Sequence, residues 1–428
     1  MPQSTGSIYE IRWHELCPWL VLVKALRASL LIRVLLLAWV GLILTQWGWS
    51  VCERTIAEPS AKLLRLDAPE NYQNLSYFRR PGSRSLPLLE QDLFVRGKPE
   101  LFSWLSTQWR LHFQGPLFEG WAWLSSPIVR ILRLETTPLQ ILQLLICSLW
   151  AIAVWGITGG AIARITARYL TREEIIGPLV ALRAAVSRWP STAGAPLIAL
   201  LFAAAMTVPL ALLGLLMRLD FLAMVAGLLW GLTLVWGVLL AIVLIALWFG
   251  WPLMWATIAV ERSDAFDAAS RTAAYIYQRP VRLVFYLLIA TVLGIFGQLV
   301  VSGFAAAGAH LTDWSVSWGS GTERIMGFAT APSDEIQPPL EGSIALATRS
   351  IQFWKDLLAS VAGAYPLAYL FTSSVGIYLL LRLHVDATEM DEIVVETIEQ
   401  PREMPELAEH EPEDLSTRRD ISLEPADD

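Results

Sequence analysis

Residues 221–250 read FLAMVAGLLWGLTLVWGVLLAIVLIALWFG, without one ionisable side chain. A helix rises 1.5 Å per residue, so about 20 such residues cover the roughly 30 Å hydrocarbon layer of a bilayer. Five more runs reach that length, near Leu30–Val51, Leu139–Gly160, Ala195–Met217, Leu283–Gly303 and Leu357–Leu381. The 428 residues are 55% hydrophobic and 17% charged, against about a quarter charged in soluble domains, which excludes a soluble enzyme. The fold class is therefore all-α: a polytopic transmembrane helical bundle of about six spans. Apolar character continues from Gly250 to Val260 across Pro252. Because proline removes a helix donor and clashes with the preceding turn, the fourth span is expected to stop near Trp248, with an interfacial segment after it. Trp47, Trp49, Trp248, Trp251 and Trp255 are expected in the aromatic belts.

The first run is too long for a signal-peptide core and no Ala-x-Ala-like site follows it, so residues 1–51 read as an N-terminal segment with a retained signal anchor. Residues 52–138 form an extracytoplasmic loop, 139–385 a five-span membrane domain, and 386–428 an acidic, disordered cytoplasmic tail. The tail holds 16 acidic residues and 3 arginines, net −13, which leaves the rest of the chain at +6 within an overall −7. Basic residues in short connections orient a membrane protein. With N-in and C-in, fourteen fall inside: Arg12, Lys24, Arg27, Arg33, Arg164, Arg168, Arg172, Arg183, Arg188, Arg262, Arg271, Arg279, Arg282 and Arg382. Arg33, near an inner end, is expected to snorkel to the headgroups.

Two cytoplasmic amphipathic helices are expected, over 171–189 and 263–279. The first opens on the capping box Thr171-Arg172-Glu173-Glu174 and spaces Ile175, Leu179, Leu182, Val186 and Trp189 helically up to Pro190. The second starts at Ser263-Asp264, puts Phe266, Ala269, Ala273 and Ile276 on one face, and ends at Pro280. Each leads into a span, so the unit span, short helix, span recurs about 90 residues apart. The loop carries Phe102, Trp104, Trp109, Phe113, Phe118, Trp121 and Trp123, a stretch expected along the membrane surface, and a sequon, Asn74-Leu75-Ser76. The acidic tail and the basic face attract, but exposed pairs contribute about 0–1 kcal/mol each, so a solvated tail touching nothing is the expected arrangement and a fluctuating cover competing with anionic lipid is the alternative.

No GxGxxG, Walker A, HExxH, GxSxG or paired carboxylate occurs, and Cys17, Cys52 and Cys147 show no metal-ligand spacing. No catalytic residue, cofactor, metal or nucleic acid is expected. Polar groups inside spans are Gln46, Gln140, Gln143, Cys147, Gln298, Thr158, Thr207, Thr233, Ser302, Thr372, Ser373 and Ser374. Interhelical hydrogen bonding accounts for them; a substrate path is the alternative.

Three stretches carry a resemblance: Gly159-Gly160-Ala161-Ile162-Ala163-Arg164-Ile165 with Arg172-Glu173-Glu174; Ala259 to Ser270 with Arg279-Pro280; and Val385-Asp386-Ala387-Thr388-Glu389-Met390-Asp391-Glu392. In that order they resemble an uncharacterised family of bacterial multi-pass inner-membrane proteins, over about residues 139–393. The middle stretch is distantly similar to the membrane domain of glycerophosphodiester phosphodiesterases, whose catalytic barrel has no counterpart here. Asp267-Ala268-Ala269 also resembles the Glu-Ala-Ala coupling loop of ATP-driven permeases, without its glycine. The expectation is a structural or partner-binding component of the inner membrane, in contact with the lipid bilayer and a cytoplasmic protein. Candidate contact residues are Arg164, Arg172, Arg183, Arg188, Asp267, Arg271 and Arg279. The alternative is a transporter or permease subunit for a neutral or lipid-like solute.

Overall fold

The computed structural model describes residues 17–57, 115–131, 138–228, 230–321, 325 and 343–388. They belong to one unit, Met1–Ile393; a second unit, Val394–Asp428, lies outside the described residues. So do the sequon at Asn74, most of the long loop and the acidic tail beyond Thr388.

All regular structure among the described residues is helical: α1 Val21–Ser29, α2 Ile32–Cys52, α3 Pro116–Ile131, α4 Pro138–Arg172, α5 Pro178–Ser187, α6 Trp189–Leu216, α7 Asp220–Leu228, α8 Trp230–Glu261, α9 Ala265–Gln278, α10 Pro280–Ser320, α11 Ser343–Gly363 and α12 Tyr365–Val385. Six helical stretches are long and apolar enough to cross a membrane: Ile32–Thr55, Leu139–Arg172, Trp189–Leu216, Trp230–Glu261, Pro280–Ser320 and Leu346–Val385. The 41 residues of α10 measure about 60 Å at 1.5 Å each, twice a hydrocarbon layer.

The centre is α12, buried without interruption from Tyr365 to Leu381. A helix enclosed on all sides needs neighbours that come close, and glycines supply the room where α12 presents its rings. A Cβ at Gly159 of α4 would lie 2.7 Å from the Phe371 ring, and one at Gly294 of α10 would lie 2.6 Å from Tyr369. Phe371 in turn stacks between Trp155 and Trp255, at centroid distances of 5.2 and 5.4 Å. At the opposite extreme stand the outer parts of α6 and α8. There only one stripe on each is covered, through Ala203, Met206, Leu210 and Leu213 on one and Thr233, Gly237 and Leu240 on the other. This pair forms an apolar arm that packs on itself.

Several local expectations change. Pro252 does not end the fourth span: α8 runs through it to Glu261, and Pro252 to Val260 are buried. Backbone groups freed by proline are tolerated in apolar surroundings when neighbours satisfy them or pack closely. Here Gly250 lets Thr272 and Ile276 of α9 lie against the helix. The same logic shows at Pro196, which leaves the Thr192 carbonyl without its helical donor; the Trp255 indole donates to that carbonyl at 2.5 Å. Trp49 and Trp255 are thus core residues at 0% and 2% exposure rather than belt residues.

The capping box at Thr171 also fails. The Thr171 hydroxyl bonds back to Ala167 O at 2.8 Å, α4 ends with Glu173 at φ 58°, and α5 starts only at Pro178. Its buried positions are Ala181 and Ala185, while Leu179 and Val186 face outward. In α9 the buried face is Ala268, Thr272, Tyr275 and Ile276, and Phe266 is 70% exposed. Both short helices fold back closely along the long helix before them, which puts alanines on the contact face of α5 and Ala268 and Thr272 beside Tyr275 and Ile276 on that of α9. The last apolar stretch is broken by a turn at Ala364 ahead of Pro366, and α12 begins at Tyr365.

The aromatic stretch around Trp121 is no surface segment either. Within α3, Trp121 and Trp123 are 3% and 7% exposed. Gly115 at φ 79° lies against Thr291, and Gly120 lies against the Pro366 carbonyl. The start of α3 is therefore inserted between α10 and α12.

The expected repeat keeps its order: α4, α5, α6 and α8, α9, α10 are each long, short, long. The first helix of each ends before a non-glycine residue at φ 58°, Glu173 and Arg262. A left-handed residue just past a helix end turns the chain back sharply.

Two outcomes follow. Gly159→Leu and Gly294→Leu should each destabilise the protein by about 1–3 kcal/mol through overpacking, and Gly214→Leu, with nothing within 4 Å, should not, by thermal melting in detergent. Thr257→Cys, at a fully buried position, should react with maleimide only after denaturation in a Cys17→Ser background; labelling of position 257 in the folded protein would contradict a continuous, packed α8.

Candidate functional site

The last turn of an α-helix carries carbonyls without intrahelical donors, and the helix dipole there disfavours a carboxylate. Glu261 sits at such a place, the final residue of α8, with its side chain only 13% exposed. A carboxylate so placed requires cationic and hydrogen-bond partners, and three side chains from two helices provide them. Arg271 of α9 approaches Oε2 at 2.6 Å, and from α12 Tyr378 donates to Oε1 at 2.6 Å while Arg382 lies 3.1 Å from the same oxygen.

The cluster extends through α9. Asp264 caps the helix, its side chain accepting from the Asp267 amide at 2.8 Å. Asp267, in the first turn where negative charge suits the dipole, holds Arg271 at 2.7 Å one turn on. Hydrogen bonding to Asp267, opposed by partial burial and helped by the Glu261 charge, raises the Arg271 pKa. Tyr275 stacks on Tyr378 with centroids 5.8 Å apart and donates to the Asp386 carboxylate beyond α12. Burial first, then that bond and the nearby negative charges, push the Tyr275 phenol well above its ordinary range. Thr257 and Thr272 meet at 3.3 Å and extend the polar cluster.

The candidate contact residues divide accordingly. Asp267 and Arg271 belong to this cluster. Arg164 does not present a basic surface: it is 6% exposed and donates to Ala259 O at 2.7 Å, so it serves the carbonyl end of α8. Arg172, Arg183 and Arg279 are exposed and Arg188 is half-buried. Arg33, expected at the headgroups, donates to Ile176 O at 3.2 Å. Glu261, Tyr275, Tyr378, Arg382 and Asp386 were not among the candidate contact residues. Their partners lie 111 and 117 residues away, beyond any local periodicity; a carboxylate closing a long apolar helix was the one available signal.

The arrangement is an anchor. One carboxylate shared by two guanidinium groups and a phenol binds α8, α9 and α12 together. Among the described residues no group of three His, Cys, Asp or Glu side chains forms a metal site. Several hydroxyls of the long apolar helices are occupied locally: Thr158 bonds to Val154 O, Ser302 to Gln298 O, and Ser373 and Ser374 to Tyr369 O and Leu370 O. On α10, Gln298 Oε1 and His310 Nε2 are buried without a hydrogen-bond partner. No family model, curated protein or solved structure matches the chain.

Removing one member of a largely buried ion-paired set leaves the others uncompensated, at about 3–5 kcal/mol. Glu261→Ala should therefore lower the melting temperature sharply, while Lys24→Ala, which breaks an exposed pair with Glu173, should leave it nearly unchanged. The raised Tyr275 pKa means that its contribution is whole below the ordinary phenol range and is lost as pH rises from there through its folded pKa. Tyr275→Phe should make the alkaline fall in stability shallower, as followed by melting across a pH series.

Proposed function

We propose that this chain is an inner-membrane protein, N-in and C-in, that works as a structural or partner-binding component with a protein docking at the Glu261 end. The observation that carries the reading is the enclosure of α12: the central helix is given to packing along its length and to an ion-paired anchor at its end. The six apolar helices support membrane insertion. The fourteen basic residues on one side support the orientation, and the three motifs support the inner-membrane assignment. Groups left to meet a protein partner are on the outer face of α9 and just beyond it, with Phe266 at 70% exposure and Arg279 exposed. The side of α9 that carries Ala268 is buried, which argues against its use as a permease coupling loop.

A transporter subunit is the second reading. It is favoured by the two unpartnered polar atoms on α10 and by α3, whose start is inserted among spans much as half-helices are in transporters.

The test is purification of the full chain from gently solubilised membranes. A non-ATPase protein should co-purify, and its recovery should fall when Phe266→Ser and Arg279→Glu are combined. A co-purifying ATPase subunit would favour transport, and recovery indifferent to both changes would remove the α9 surface from the proposal. A reporter after Asp428 should be active in the cytoplasm and one near Gly82 should be exported; the reverse pair overturns the orientation.

A further inference from the structure

α5 is short and carries two kinds of side chain on its outer side. Leu179 is 78% exposed, Val180 58% and Val186 55%; nearby Ile175 is 49% and Ile32 75% exposed. Arg183 stands in the same row, with Arg172 before the helix and Arg188 after it. Its inner side is closed by Ala181 and Ala185, so among the described residues the outer apolar groups are not a packing face.

The charges around α5 are unbalanced. Two carboxylates lie in the turn between α4 and α5 and both are taken, Glu173 by Lys24 at 2.8 Å and Glu174 by Arg168 at 2.9 Å. Arg172, Arg183 and Arg188 have no carboxylate within ion-pair distance among the described residues, and neither has Arg27 on α1. What covers this face must therefore be anionic and apolar at once. It must also lie at a membrane edge, because only Arg188 separates α5 from α6, a helix long and apolar enough to span.

We propose that α5 is a docking surface for anionic phospholipid: the phosphate headgroups sit among Arg172, Arg183 and Arg188, and the acyl chains cover Leu179, Val180 and Val186. A basic cluster beside a span end attracts anionic headgroups by about 1 kcal/mol per residue, roughly fivefold in association each. The apolar row adds the hydrocarbon contact that a soluble acidic peptide does not supply. The inference rests on the membrane reading of the six long helices and adds a lipid class and a site to it.

The test uses the full chain with Cys17→Ser and Leu179→Cys, bimane-labelled at position 179; Cys52 and Cys147 are buried. The protein is reconstituted into phosphatidylcholine vesicles containing phosphatidylglycerol, with bromine on the acyl chains of one lipid or the other. Brominated phosphatidylglycerol should quench several-fold more strongly per molecule than brominated phosphatidylcholine. High salt should erase that difference, and so should Arg172→Gln, Arg183→Gln and Arg188→Gln together, with the circular dichroism spectrum unchanged. Equal quenching by both lipids overturns the anionic selection, and no quenching by either overturns lipid as the occupant in favour of water, the acidic tail or a protein. A second label at Leu232→Cys, on the exposed side of α8, separates the failures. If that label is quenched and position 179 is not, the lipid site alone is wrong; if neither is quenched, the membrane reading is wrong as well.

Discussion

Everything in this bundle is arranged around a helix that has no free side. Helices this apolar are held to one another by close van der Waals packing and by hydrogen bonds between them. The encirclement of α12 meets that constraint by matching rings to gaps: Phe371 sits over Gly159 and Tyr369 over Gly294, while Trp155 and Trp255 clamp Phe371 from two other helices. α3 enters the same interior because Gly120 allows its backbone to touch the Pro366 carbonyl. A helix so enclosed becomes the reference against which α4, α8 and α10 are positioned.

Packing alone lets helices slide along one another, and polar contacts set the register. Indole donors do this repeatedly: Trp49 reaches Cys147 O on α4 while Trp150 reaches Leu44 O on α2, each at 2.9 Å. Glu261 does it most strongly, since its carboxylate is usable only where Arg271, Tyr378 and Arg382 converge. Arg164 finishes the same helix end by taking the Ala259 carbonyl. The polar chemistry of the described residues is thus spent mainly on fixing where α8, α9 and α12 end. The arm formed by the outer parts of α6 and α8 has few such ties, one being the Trp236 indole on Met206 O.

The two short helices show how one repeated plan takes different surroundings. Both follow a long helix that turns on a left-handed residue, and both lead into another long helix. α9 is drawn inward, with Ala268 against Ala195, Met254 and Ile258, and its charged residues join the anchor. α5 rests on α4 through two alanines and leaves its larger apolar and basic groups outside. The same order of elements therefore yields one bracing helix and one surface.

Element type, the number of long apolar helices and the order of the repeated unit were legible in the sequence, because hydropathy and helical spacing are properties of consecutive residues. The division of charge between body and tail was legible for the same reason. Which apolar helix is enclosed by the others and which keeps an open face was not, since an apolar run suits either surrounding. Only the tertiary structure placed α12 at the centre, carried α8 through Pro252, sank Trp121 into the core and paired Glu261 with residues more than a hundred positions away. Those outcomes depend on which helix supplies a glycine, a carbonyl or a guanidinium at a given height, and that is decided by contact between distant segments.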